Sequence, residues 1–171
     1  TEAFGQYDSY TPMQLAQYAA TVANGGKRVA PHLVDSIYDN DGTTGIGTLS
    51  KTIETNVLNK VNISNSEMAL LQQGFYQVVN STSGYATGTH MRGNVTIAGK
   101  TGTAETYKED GNGNVVTTVN LSVLAYDYSK NDDSKIAVAV IIPHLTSDDN
   151  HPNQLIARDI INLYMSTYAN K

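Results

Sequence analysis

Cysteine and tryptophan are both missing from these 171 residues, phenylalanine occurs only twice and proline four times. Without cysteine the chain has neither disulfides nor thiolate metal sites, which suits an extracytoplasmic bacterial protein. Positive charge is scarce as well: eleven Lys and Arg against sixteen Asp and Glu give a formal net charge of −5, and the basic residues are scattered. Nucleic acids are held by clustered Lys and Arg, so a nucleic-acid partner is set aside. No apolar run approaches the roughly 18 residues that a spanning helix needs, and nothing reads as a signal peptide. What remains is a globular composition, 40% hydrophobic and 16% charged. Its length fits a single domain over residues 1–171, burying roughly 70% of its unfolded surface. The opening Thr1-Glu2-Ala3-Phe4-Gly5 lacks an initiator methionine, and a piece of a larger polypeptide is expected.

Two helix starts are written plainly. Thr11-Pro12-Met13-Gln14 and Ser64-Asn65-Ser66-Glu67 each place a hydroxyl cap three residues before a Gln or Glu, the reciprocal arrangement that satisfies free amides at a helix start. Behind the first run Leu15, Ala16, Ala19, Val22 and Ala23, stopped by Asn24-Gly25-Gly26; behind the second run Met68, Leu71, Phe75, Val78 and Val79. Leu33 to Tyr38, following Pro31, reads as a short strand near a sheet edge, and Asp39 to Gly47 as a loop. Asn80 to Gly93, rich in Ser, Thr and Gly, is a second loop. Three β-rich stretches follow, at about 94–107, 115–126 and 135–142, joined by polar turns into an antiparallel meander. A last helix, about Gln154 to Tyr168, places Ile156, Ile160, Leu163 and Tyr164 on one side, and that side is expected to pack across the sheet.

The chemistry gathers in Thr96-Ile97-Ala98-Gly99-Lys100-Thr101-Gly102-Thr103-Ala104-Glu105. A Gly-Lys-Thr run suggests a phosphate-cradling loop, but that pattern needs a glycine five residues before the Gly-Lys pair, and Asn94 stands there. Such a loop also lies between a strand and a helix, whereas here β-favouring sequence continues on both sides. Read as a strand, the segment alternates: Thr101 and Thr103 share one face, and Lys100, Gly102 and Ala104 the other. Two hydroxyls and a nearby ammonium suit a carboxylate, and Gly102 and Ala104 leave the edge bare enough for a peptide-like ligand to lie along the backbone. Glu105 is a carboxylate at the edge of this site or simply a charged strand residue.

Lys-Thr-Gly is one of the signature triplets of penicillin-binding proteins and class A β-lactamases. The longer run Lys100 to Glu105 resembles its form in class B penicillin-binding proteins. Phe4-Gly5-Gln6, Thr11 to Ala16 and Ala23-Asn24-Gly25-Gly26 are similar to the block that precedes it there. Within that family the order and spacing resemble the 2B type of streptococci, over the C-terminal part of the transpeptidase domain. The resemblance implies an α/β fold of the α+β type, a partial β-lactamase/transpeptidase-like fold with helices packed on an antiparallel sheet, the N-terminal strands and nucleophile helix being absent. It implies a serine-type D,D-transpeptidase that cross-links peptidoglycan stem peptides, is acylated by β-lactams, needs no cofactor, and works at the extracytoplasmic face of the cell membrane. By the same resemblance Lys100 supplies positive charge toward the substrate carboxylate and Thr101 and Thr103 donate hydroxyl hydrogen bonds to it. The backbone N–H of Thr103 is one of two oxyanion donors, and Gly102, Ala104 and Glu105 complete the binding strand. Many members carry an aromatic pair early in the next strand, where this sequence reads Val119-Asn120-Leu121-Ser122-Val123.

Serine acyl transfer needs a nucleophile with a base in reach, and no serine here is followed three places on by lysine. Ser129-Lys130-Asn131, the one S-x-N, comes after Lys100 whereas the family places that motif before it, and reads as a turn. The chain is therefore expected to be inactive alone, and the resemblance, in which N-terminal strands absent here pair beside the last strand, implies that 135–142 is left as an open strand edge prone to self-association. A non-catalytic ligand-binding or assembly module on the same fold is the alternative. Asp110, Asn112 and Asn114 begin like a calcium loop, but Val115 and Leu121 replace its glycine and closing Glu, which leaves a solvated turn. His144, Asp148, Asp149 and His151 match no zinc spacing and read as a surface loop.

Overall fold

The computed structural model describes residues 8–43, 45–128 and 134–169. Phe4-Gly5-Gln6 and Ser129-Lys130-Asn131 lie outside them. The element order is α1 (Pro12–Ala23), β1 (Lys27–Val29), β2 (Ser36–Asn40), β3 (Ile46–Thr52), β4 (Val57–Lys60), α2 (Asn65–Asn80), a one-turn 3-10 helix (Thr89–Met91), β5 (Ile97–Glu109), β6 (Val115–Asp127), β7 (Ala137–Leu145) and α3 (Pro152–Thr167).

Both expected capping boxes form. Thr11 Oγ1 accepts from Gln14 N at 3.2 Å while Gln14 Oε1 accepts from Thr11 N at 2.8 Å. Glu67 Oε2 accepts from Ser64 N at 2.7 Å while Ser64 Oγ accepts from Glu67 N at 3.3 Å. Helix α1 ends where two glycines take positive φ, 74° at Gly25 and 92° at Gly26. There Gly26 N donates to Thr21 O and Gly25 N to Val22 O, a Schellman closure that residues with a Cβ adopt only under strain.

The sheet that matters is the meander β5-β6-β7, antiparallel throughout. Its faces carry separate cores, as strand alternation requires. Ile97, Val123, Ala125 and Val138 pack with Val79, Met91, Ala157 and Ile161 on the α3 side. Ala98 and Tyr126 pack with Val22, Ala23, Met68 and Phe75 of α1 and α2 on the other. Mixed helix and antiparallel sheet is thus the architecture expected from the sequence. Asp127 closes the end of β6: its Oδ1 accepts from the amides of Lys135 and Ile136 at 2.7 and 2.8 Å. Burial pushes its carboxyl above the ordinary range, with those two amides and the Lys135 charge acting the other way.

Several expectations are corrected. The strand expected over 33–38 is β2 at 36–40, and part of the expected 39–47 loop is β3, which closes a bulged hairpin onto β2. A second small sheet, β1 with β4, was not anticipated. The meander strands begin and end a few residues later than expected on the β5 and β7 sides. Helix α3 is turned the other way: Ile156, Ile160 and Leu163 are 42%, 42% and 65% exposed, whereas Asn153, Gln154, Ala157 and Ile161 are buried. The physical reason is that small Ala157 permits close approach, while the inward side-chain NH2 groups of Asn153 and Gln154 donate to backbone carbonyls described below.

Candidate functional site

Strand β5 is core for three residues and then becomes surface. Ile97, Ala98 and Gly99 are buried, Lys100 is exposed, Thr101 and Gly102 are half-buried and Thr103 is exposed. One edge of β5 pairs along its whole length with β6, and among the described residues no strand pairs with the other.

Three hydrogen bonds fix which backbone groups face that open edge. Thr96 O accepts from Tyr128 N on the β6 side. Ile97 O accepts from Asn80 Nδ2 at 2.8 Å and Thr101 O from Lys100 Nζ at 2.6 Å, both from outside the ladder. In a strand the N–H and C=O of one residue point the same way and alternate from residue to residue. Odd-numbered residues therefore present their backbone outward, and Thr103 N–H faces the open edge. Gly102 lies opposite Ser122, whose Oγ occupies the space a Cβ at 102 would take.

Side chains divide as alternation demands. Thr101 and Thr103 face a cavity of about 220 Å³ on the α3 side, lined also by Thr87, Leu121, His151, Asn153 and Gln154. Lys100 leaves on the other face, beside an apolar groove of about 540 Å³ formed by Leu70, Leu71, Gly74, Phe75 and Val78. Its ammonium folds back over the strand edge onto Thr101 O and has no carboxylate partner among the described residues. The ammonium and an outward amide thus lie at one bare edge, with the two hydroxyls beside it on the α3 face. Ala104 is half-buried and Glu105 exposed farther along the same strand.

Sequence reasoning missed the support behind this edge. Thr87 Oγ1 lies 2.9 Å from Thr101 Oγ1. Gln154, 2% exposed, donates from Nε2 to Thr87 O at 3.0 Å and accepts at Oε1 from His90 N at 3.2 Å. Asn153, equally buried, donates from Nδ2 to Ser122 O at 2.8 Å. The first turn of α3 therefore ties both the 87–90 loop and β6 into place behind Thr101 to Thr103. Only the Pro152 start and inward face of α3 could have signalled this, and its apolar stripe pointed elsewhere.

The other sequence candidates stay local. Asp110 accepts from Asn112 N, Asn114 N and Asn114 Nδ2, closing the β5-β6 turn. The Asn114 side-chain bond is the first of the contacts that hold its carboxyl below the ordinary range. His144 meets Thr118, His151 lies against His90 with ring centroids 4.6 Å apart and planes tilted by 52°, and among the described residues no three His, Asp or Glu gather as metal ligands. No described helix is long and apolar enough to cross a membrane.

Comparison with known proteins adds an independent line. A family profile described as "Penicillin binding protein transpeptidase domain" matches residues 1–162. Penicillin-binding protein 2B of Streptococcus pneumoniae (serotype 2, strain D39) is 51% identical over 166 residues, covering 96% of this chain and 24% of that protein. Penicillin-binding protein 2A of Bacillus subtilis (strain 168) is 34% identical over 165 residues, covering 95% and 23%. The solved structure of penicillin-binding protein 2B from Streptococcus pneumoniae strain R6 superposes with a TM-score of 0.86 at 50% identity, over 98% of this chain and 26% of that one. The chain thus spans about a quarter of the length of the relatives it matches.

Proposed function

The chain belongs to the penicillin-binding protein transpeptidase family, and from that footing we propose that β5 is the carboxylate-gripping strand of a serine-type peptidoglycan D,D-transpeptidase. The observation that carries this reading is one unpaired edge that bears the Lys100 ammonium and the outward Thr103 amide and is flanked on the α3 face by the Thr101 and Thr103 hydroxyls. A stem peptide, or a β-lactam in its place, lies along that edge as an added strand. Gly102 and Ala104 let its backbone approach, and Glu105 borders the site.

Lys100 supplies charge toward the ligand carboxylate, and the two hydroxyls donate to it. The attacking serine and its lysine base belong to polypeptide outside these 171 residues, because no S-x-x-K occurs within them. That serine oxygen forms an ester with the substrate carbonyl, the peptide C–N bond breaks, and the departing nitrogen takes up the serine's proton. Thr103 N–H is one of two donors to the oxyanion that develops on the way. Such a donor sits about 2.7–3.1 Å from the oxyanion and contributes a factor of roughly 10²–10³ in turnover. The 171 residues form a single domain-sized unit that is inactive alone, takes no cofactor, and works at the extracytoplasmic face of the cell membrane as part of its parent. The edge of β7 that has no partner strand among the described residues offers a route to self-association; a strict monomer in analytical ultracentrifugation would remove it.

Intact mass after incubation with benzylpenicillin tests the central claim. The 171-residue chain should gain no covalent adduct, and a polypeptide that joins it to an S-x-x-K serine should gain one per molecule. In the latter, Lys100→Ala should slow acylation by roughly ten- to a hundredfold, the effect of losing a hydrogen bond to a charged group. Equal rates with and without Lys100 would refute the assignment.

A further inference from the structure

We infer that Thr87, held by the buried amide of Gln154, is a positioning residue that sets the direction of the Thr101 hydroxyl proton toward a bound carboxylate; this rests on the transpeptidase reading and deepens it.

Each threonine hydroxyl has one hydrogen to donate and can accept as well. The Thr87 and Thr101 oxygens are 2.9 Å apart, and among the described residues neither hydroxyl has another partner. One must therefore donate to the other. If Thr101 donated to Thr87, its proton would be spent and its lone pairs would face an incoming anion, which repels. If Thr87 donates to Thr101, the Thr101 hydrogen is free to aim at the anion, and the two bonds run head to tail, each polarising the next. A carboxylate in the cavity selects the second arrangement.

The relay works only if Thr87 stays put, and Thr87 sits in the stretch 81–88, which is neither helix nor strand. Gln154 supplies the rigidity. It is 2% exposed, rooted in the first turn of α3, and bonded by its two ends to Thr87 O and His90 N, so it clamps the loop on either side of Gly88. Gly88 fits tightly beneath: a Cβ there would come within 2.8 Å of Met91 Cε and 3.1 Å of Val78 O. Thr87 itself is exposed, so its replacement leaves the core intact.

The test is the second-order acylation rate of the serine-containing polypeptide, measured with benzylpenicillin and with its methyl ester, which lacks the anionic carboxylate. Thr87→Val should slow reaction with the free acid roughly five- to tenfold, the size of one neutral hydrogen bond between hydroxyls, and leave the ester within about twofold. Thr87→Ser should restore the free-acid rate to within about twofold, and Thr87→Val added to Thr101→Val should cost nothing further. A structural role would slow acid and ester alike. Equal slowing of both ligands, no slowing, or failure of serine to rescue would each overturn this inference alone. A wild-type polypeptide inert to both ligands would instead overturn the transpeptidase reading, and this inference with it.

Discussion

Gly99→Ala and Gly74→Ala are the same chemical change, and the structure gives them opposite signs. At Gly99, in the ladder opposite Ala125, a Cβ would sit 2.7 Å from the Leu124 carbonyl oxygen and 3.2 Å from both Ala125 Cβ and Met91 Cε. Comfortable heavy-atom contacts begin near 3.5 Å, so the carbonyl must retreat by about 0.8 Å. The flexible Met91 tip can yield, but the Leu124 carbonyl belongs to the paired β6 backbone. Overpacking of this kind costs about 1–3 kcal/mol, offset by about 0.4–1 kcal/mol because alanine has less freedom to lose on folding. The net loss is about 1–2 kcal/mol, a fall in melting temperature of roughly 2–8 °C at about 2–4 °C per kcal/mol for a chain of this size. At Gly74, mid-way along α2, a Cβ meets nothing within 4 Å, and alanine in a helix interior is worth about 0.5–1 kcal/mol over glycine. Gly74→Ala should therefore melt roughly 1–4 °C above wild type. Thermal unfolding followed by circular dichroism, repeated in urea, reads both. A Gly99→Ala protein as stable as wild type, or a Gly74→Ala protein less stable, would refute the steric reasoning.

The corrected orientation of α3 predicts that Ile161→Ala costs about 2–5 kcal/mol, while Ile160→Ala, one residue away on the exposed face, stays within about 0.5 kcal/mol; urea midpoints compare them. Asp127→Ala strips the acceptor from the part-buried amides of Lys135 and Ile136 and should cost about 1–3 kcal/mol, whereas Asp127→Asn keeps an oxygen in place and should be much milder. Because burial raises the folded carboxyl above its ordinary 3.8, the native state binds that proton more tightly than the unfolded chain does. The Asp127 contribution is thus fully present below about pH 3.8 and is lost as pH rises through the raised folded value. Melting curves of wild type against Asp127→Asn across that window should diverge in this sense. Ser64→Ala removes an N-cap worth about 1 kcal/mol. It also lets the Glu67 carboxyl climb back toward its ordinary range, since the Ser64 hydroxyl chiefly holds it down; a carboxyl NMR titration follows that rise.

How much of this was legible depended on whether the signal was local. Capping boxes at Thr11 and Ser64 are complete within four residues, and both helices start where they say. The β5-β6-β7 meander announces itself by β-favouring runs and polar turns. By contrast β3 reads Ile46-Gly-Thr-Leu-Ser-Lys-Thr52, with too little apolar alternation to separate it from a loop; a bulged register and its partner β2 define it instead. The inward face of α3 was hidden for a different reason. Asn153 and Gln154 are buried because distant carbonyls at Ser122 and Thr87 accept hydrogen bonds from them, and no hydrophobic stripe can report that. Thr87 likewise acquires meaning only once Thr101 lies beside it.

The orientation of the candidate site is decided some distance from it. All thirteen residues of β5 pair in unbroken register with the thirteen of β6, from Ile97↔Asp127 to Glu109↔Val115. The irregularity in this sheet falls on the other side, between Val119 and Leu121 against β7. There the Asn120 side chain accepts from His144 N at 2.9 Å. Parity at Thr103 is therefore inherited from Thr96 and Ile97, roughly 20 Å back along the strand at about 3.4 Å per residue. A slip of one residue would turn Thr101 and Thr103 toward α2 and swing their amides into β6. It would also drive Ile97 out of the α3-side core and Ala98 out of the other, so the two cores penalise the slip before any ligand arrives. The carboxylate grip that we propose is thus held in aim by the burial of Ile97 and Ala98 as much as by its own residues. A β-bulge engineered between Gly99 and Thr101 should abolish acylation in the serine-containing polypeptide even with Lys100, Thr101 and Thr103 all present.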